Sequence, residues 1–147
     1  MRLVSRNGST MPAIDQPFLA ELVADLVTIR RDIHAHPELA FDESRTAGIV
    51  AHELKKCGIE VHRGLAKTGV VGVLRAGKSD RMIGLRADMD ALPLAEKNEF
   101  PHRSKHEGKM HACGHDGHTT MLLGAARYLA RHPDFDEIGR ASCRERV

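Results

Sequence analysis

Residues 110–118 read MHACGHDGH, which places three histidines (His111, His115, His118), one cysteine (Cys113) and one aspartate (Asp116) within nine positions. Thiolate and imidazole are borderline-soft donors that suit Zn, Co, Ni, Fe or Mn rather than Ca or Mg. Cys113 and His115, two apart, share a face if the backbone is extended there, and Gly114 and Gly117 let the loop bend around an ion. As a bare pattern the Cys-x-His pair fits a ligand pair or a satisfied polar turn equally well; His111, Asp116 and His118 weigh toward a metal. A structural zinc knuckle needs two closely spaced ligand pairs, and no second pair is present, since Cys57 lies in an apolar stripe and Cys143 is remote.

Further polar residues stand at chemically useful places. Asp88 and Asp90, in GLRADMDALP, follow an apolar strand and emerge at its C-terminal end, where open α/β sheets form ligand crevices. Carboxylates there can bind a metal, orient a ligating histidine or act as acid and base, although aspartates at a strand end also cap backbone N–H groups in plain turns. His34 and His36, in HAHPE, end a helix, where a favourable interaction with the helix dipole explains them. The stretch HRSKHEGK (102–109) reads as a solvated loop whose basic residues could hold an anionic substrate.

The elements that must position these residues can be read from periodicity. Phe18, Leu19, Leu22, Val23, Leu26, Ile29 and Ile33 recur at helical spacing; Asp15 is placed to cap the helix, Pro17 falls in its first turn and Pro37 stops it. A second helix is expected from about Asp42 to Cys57, with Gly58 accepting the left-handed conformation after it. Strand-like runs follow at 59–62, 69–76 and 81–88, with GKSD as turn chemistry joining the last two into a hairpin. From Met89 to Gly117 the chain has no period, the mark of a long functional connection, and a third helix starts near His118 or Thr119. These elements make an α/β protein, a three-layer-type sandwich with a mixed β-sheet.

At 147 residues the chain has the size of one domain and needs neither disulfide nor metal merely to fold. Mixed charges and a net charge of +2 give no reason to expect nucleic acid or an anionic membrane as partner, and no run of apolar residues is long enough to span a bilayer. An odd number of cysteines and an N-terminus without an apolar run predict a reducing, cytoplasmic setting. Residues 1–14 read as a disordered lead-in, and the aperiodic charged run RASCRER reads as a disordered tail.

Taken together, RRDIHAHPELAFDESRTA, GLRADMDALPL and MHACGHDGHTTMLLGAARYL closely resemble the amidohydrolase branch of the M20 metallopeptidase family, over roughly residues 18–136. The resemblance implies a catalytic domain with two divalent metal ions (Mn, Zn, Co or Ni), of which Cys113 and His115 are ligands. It matches Asp90 to the strand-end aspartate that orients the catalytic site and puts Asp88 where other branches carry a histidine ligand. Asp116 and His118 would then support the ligand loop or the helix start. The implied reaction is hydrolysis of N-acyl amino acids, hippurate-like substrates among them, by an enzyme whose full-length form is a homo-oligomer.

The chain also departs from the family pattern. Family members carry an apolar strand and then a paired-glutamate motif, which supplies the general base, after the third helix; no Glu-Glu pair occurs here, and Glu137 and Glu145 have no flanking apolar strand. Residues 15–136 are therefore expected to be the N-terminal part of an M20 catalytic domain, and 137–147 a tail foreign to the family. A non-catalytic metal-binding or interaction fragment is the alternative.

Overall fold

The computed structural model describes residues 15–134 and 138–143. The expectation for residues 1–14, and for the rest of the tail, lies outside the described residues.

Helix α1 (Gln16–Ala35) starts where the Asp15 carboxylate accepts the Phe18 N–H at 3.1 Å, with Pro17 in the first turn as expected. Helix α2 (Ser44–Lys56) begins after the fully buried Glu43, whose carboxylate accepts the Thr68 hydroxyl instead of capping the helix. Gly58, at φ +72°, takes the left-handed conformation that ends α2. Strand β1 (Glu60–Leu65) then pairs antiparallel with β2 (Gly69–Arg75), so the tight hairpin lies here.

The hairpin expected across GKSD does not form. Strand β3 (Met82–Ala87) is separated from β2 by β4 (Ile138–Cys143), which pairs antiparallel with β2 and parallel with β3 in a sheet of order β1-β2-β4-β3. Next-but-one strands lie about 9.6 Å apart, a gap that residues 76–81 cross easily. The segment read as disordered tail thus contributes a strand from 138 to 143. Its place depends on backbone groups of β2 and β3 that face one another across a strand-wide gap, a requirement indifferent to the missing apolar alternation.

Helix α3 (His115–Arg131) packs on α1 and, with α2, covers the sheet. The α/β sandwich with a mixed sheet is the one the periodicity predicts. Its core joins Val50 and Leu54 of α2, Ile59, Val70 of β2, Ala87 and Met89 at the end of β3, and Leu122, Leu123 and Ala126 of α3. Fully burying each large aliphatic side chain is worth about 1.5–3 kcal/mol. Gly72 and Gly124 mark close approaches between elements: a Cβ at Gly72 would stand 3.0 Å from Ile59, and one at Gly124 2.6 Å from Leu26. β3 is an edge strand, and Met82, Ile83 and Leu85 on it are exposed.

Candidate metal centre

Strand β3 is followed directly by Asp88-Met89-Asp90, and the connection that continues from there leads into α3. Leu92 and Met110 exchange both backbone hydrogen bonds (2.9 and 3.0 Å), closing the base of that connection. The Ala91 N–H donates to the Glu38 carbonyl at 2.7 Å and the Lys105 N–H to the Ala35 carbonyl at 2.8 Å, which stitches the connection to the end of α1. Residues without a period of their own are thus ordered by the elements around them.

Helix α3 begins three residues earlier than the expected His118, at His115, because Gly114 serves as its N-cap with φ +85°. The left-handed turn replaces the extended backbone assumed for the Cys-x-His pair: it turns the chain sharply between Cys113 and His115 and leaves His115 in the first helical turn. Open space surrounds the position a Cβ would take at Gly114, so backbone conformation alone demands glycine there. Cys113 is exposed immediately before the N-terminal end of α3.

The structure brings Asp90 and His115 together. His115 Nδ1 lies 2.7 Å from Asp90 Oδ1 and 3.0 Å from the Asp90 carbonyl oxygen. Protonated Nδ1 donates to these oxygens, which leaves Nε2 as the nitrogen with a lone pair, the arrangement by which carboxylates orient metal-binding histidines. Asp88 plays a different part: its carboxylate pairs with Arg86 and its carbonyl accepts the Thr119 hydroxyl at 2.9 Å, tying the strand end to α3. His118 is exposed, its ring centroid 5.6 Å from that of His115.

Behind this pair sits a buried polar network. Asp116 is only 1% exposed, and its Oδ2 lies 2.9 Å from His34 Nδ1 and 3.1 Å from Arg30 Nε. The other nitrogen of His34, Nε2, lies 3.1 Å from Glu96 Oε1. Burial disfavours the Asp116 charge, but His34, the Gly117 N–H, His111 and Arg30 outweigh it and hold this carboxyl below its usual range. His34 therefore does more than meet the dipole of its own helix: it bridges two carboxylates from distant segments. Nothing in the sequence marks Glu96 for this role, since it stands in the unremarkable run LAEKNEF.

His111 is 4% exposed, and both of its ring nitrogens are buried without a hydrogen-bond partner. Burial lowers its pKa to about 4, against the opposing charge of Asp116, so the ring is neutral at pH 7. Asp116 Oδ1 is likewise buried and unpartnered. Cys57 differs from Cys113: it closes α2, packs against the core, and burial raises its pKa.

The donors fit a divalent transition ion in kind: an exposed thiol at a helix N-terminus, and an imidazole whose Nδ1 is engaged by a carboxylate. They are not a complete cage. Among the described residues, no group of three or more His, Cys, Asp or Glu side chains is arranged to hold a metal ion.

Residues 84–138, from β3 through the loop at 110–114 and α3, match the family described as Peptidase family M20/M25/M40. The chain is 59% identical over 114 residues to the hippurate hydrolase of Campylobacter jejuni, a match covering 78% of this chain and 30% of that protein. Over residues 84–138 the chain matches peptidase family M20. The M20 relatives also include the N-acyl-L-amino acid amidohydrolase of Geobacillus stearothermophilus, 47% identical over 78% of this chain and 31% of its own length. An M20 structure described as a dinuclear metal binding peptidase, YXEP of Bacillus subtilis, superimposes with a TM-score of 0.81 at 36% identity, covering 84% of this chain and 35% of that one. The chain thus spans about 30% of the length of the M20 hydrolases it matches.

Proposed function

We propose that this chain is part of a metal-dependent amidohydrolase that cleaves the amide bond of N-acyl amino acids, with hippurate-like compounds as the substrate class. The observation that carries this reading is His115 held through Nδ1 by Asp90, beside the exposed Cys113, in a chain 59% identical to a hippurate hydrolase. In this reading Cys113 and His115 are ligands in a two-metal site filled by Mn, Zn, Co or Ni. Bound divalent ions would supply Lewis acidity toward the amide carbonyl and lower the pKa of an attacking water.

The chain's own residues prepare that chemistry. Asp90 fixes the ring orientation of His115 and, by accepting from Nδ1, leaves the Nε2 lone pair free to bind an ion. The left-handed turn at Gly114 leaves the exposed Cys113 beside the first turn of α3 that carries His115. The buried neutral His111 keeps a nitrogen lone pair next to the loop without adding a positive charge that would repel cations. The chain contains no Glu-Glu pair to act as general base, so the 147 residues by themselves are expected to hydrolyse N-acyl amino acids little or not at all.

Residues 15–136 are read as part of the M20 catalytic domain of a cytoplasmic, homo-oligomeric enzyme, and 137–147 as foreign to it; the family match ending at residue 138 supports that boundary. Two experiments test the proposal. Hippurate and other N-acyl amino acids are assayed with added Mn, Co, Ni or Zn, using both this chain and the product of the complete reading frame. Metal-dependent turnover only in the latter is expected; a complete product inert toward every N-acyl amino acid refutes the reaction class. Sequencing the locus past codon 136 tests the tail, and a native stop codon directly after Val147 would overturn the boundary.

A further inference from the structure

We propose that His34 is a positioning residue for the metal loop, acting by clamping Asp116 with one ring nitrogen and Glu96 with the other; the inference rests on Cys113 and His115 being metal ligands. His34 comes from the last turn of α1, Asp116 from the first turn of α3, and Glu96 from the connection between β3 and α3. The three meet at 2.9 and 3.1 Å, and all three are nearly excluded from solvent, with side-chain exposures of 8% for His34, 1% for Asp116 and 3% for Glu96.

The geometry exceeds what packing requires. Asp116 directly follows His115, so holding its carboxylate fixes the pitch and rotation of the helix turn that carries the ligand. Arg30 Nε reaches the same oxygen, Asp116 Oδ2, so two residues one helical turn apart on α1 grip this one atom. Glu96 in turn accepts the Ser104 N–H through its second oxygen and the Asn98 amide through the oxygen facing His34. The connection is thereby folded back on α1 before it re-enters at Met110 and Cys113. One imidazole therefore joins the two segments that flank the ligand pair. An apolar side chain of similar size could fill the volume but would take the imidazole contact from both buried carboxylates, leaving Asp116 Oδ2 to Arg30 and Glu96 to Ser104 and Asn98.

The test uses the product of the complete reading frame with Zn(II) and Co(II) as probes. Zinc-dependent protection of Cys113 from alkylation is followed by peptide mass spectrometry, and the Co(II)–thiolate charge-transfer band by absorption. His34→Ala is expected to need at least tenfold more zinc for half-protection and to lose or shift the cobalt band, in line with the roughly 10–100-fold effect of groups that orient metal ligands. Leu54→Val, a core change remote from the loop, serves as the fold control and is expected to leave the band in place. Protection in the parent chain with His34→Ala within twofold of it overturns the clamp. No zinc protection in the parent chain instead refutes the ligand assignment on which it rests. Should His34→Ala not fold, Glu96→Gln is read in its place: it keeps the Asp116 contact while removing one charged arm. At least threefold weaker protection then supports the clamp, and unchanged protection overturns it.

Discussion

Replacing Asp90 tests how His115 is prepared for a metal. Two oxygens of the same residue face His115 Nδ1, the carboxylate at 2.7 Å and the backbone carbonyl at 3.0 Å. Asp90→Ala removes only the first, so the carbonyl still accepts from Nδ1, the tautomer survives and Nε2 stays free. What is lost is the difference between a charge-assisted hydrogen bond, about 1.5–3 kcal/mol, and a neutral one, about 0.5–1.5 kcal/mol. The pair is partly open to solvent, with side-chain exposures of 20% and 15%, which favours the lower end. A loss of about 1–1.4 kcal/mol corresponds to a fivefold to tenfold weaker zinc affinity. Zinc binding is measured by competition with a chromophoric chelator, alongside His115→Ala as the full-loss reference. A hundredfold loss for Asp90→Ala would show that the carbonyl does not substitute; no loss would show that the carboxylate does not act on the ligand at all.

Other consequences follow from single features. Gly114→Ala forces a side chain into a left-handed turn with open space around it, so the cost is backbone strain alone, about 1–2 kcal/mol; thermal denaturation should show it, and Gly114→Asn should recover part. Leu123→Ala opens a cavity at a site 1% exposed and should cost about 2–5 kcal/mol by urea unfolding. Burial opposes the charge of Glu96, but the Ser104 N–H, the Asn98 amide and His34 hold its carboxyl below the ordinary range. Its stabilising contribution is therefore complete above the unfolded carboxyl pKa of about 4.3 and is lost as the pH falls through the lower folded value. The stability gap between the parent and Glu96→Gln should be widest near neutral pH and close in acid; a gap that persists unchanged at pH 3 contradicts this.

Periodicity was enough to place α1 from its Asp15 cap to Pro37, α2 up to Gly58 and the three sheet runs, because burying one face repeats at every turn or every second residue. Composition and spacing drew attention to the MHACGHDGH run and to Asp88 and Asp90, but fitted a polar turn as well as a ligand site; the resemblance to the M20 family is what picked out Cys113, His115 and Asp90. The strand order could not be read, because backbone hydrogen bonds carry no side-chain signature: β4 entered between β2 and β3 from a run without apolar alternation. The start of α3 was misplaced because Gly114 serves as an N-cap through its dihedral angles rather than through a side chain. Only the tertiary fold decided that His34, Asp116 and Glu96 meet. Residues separated by 82 and 62 positions share a buried site when their backbones converge there, and burial turns ordinary surface-type residues into a network that must be satisfied.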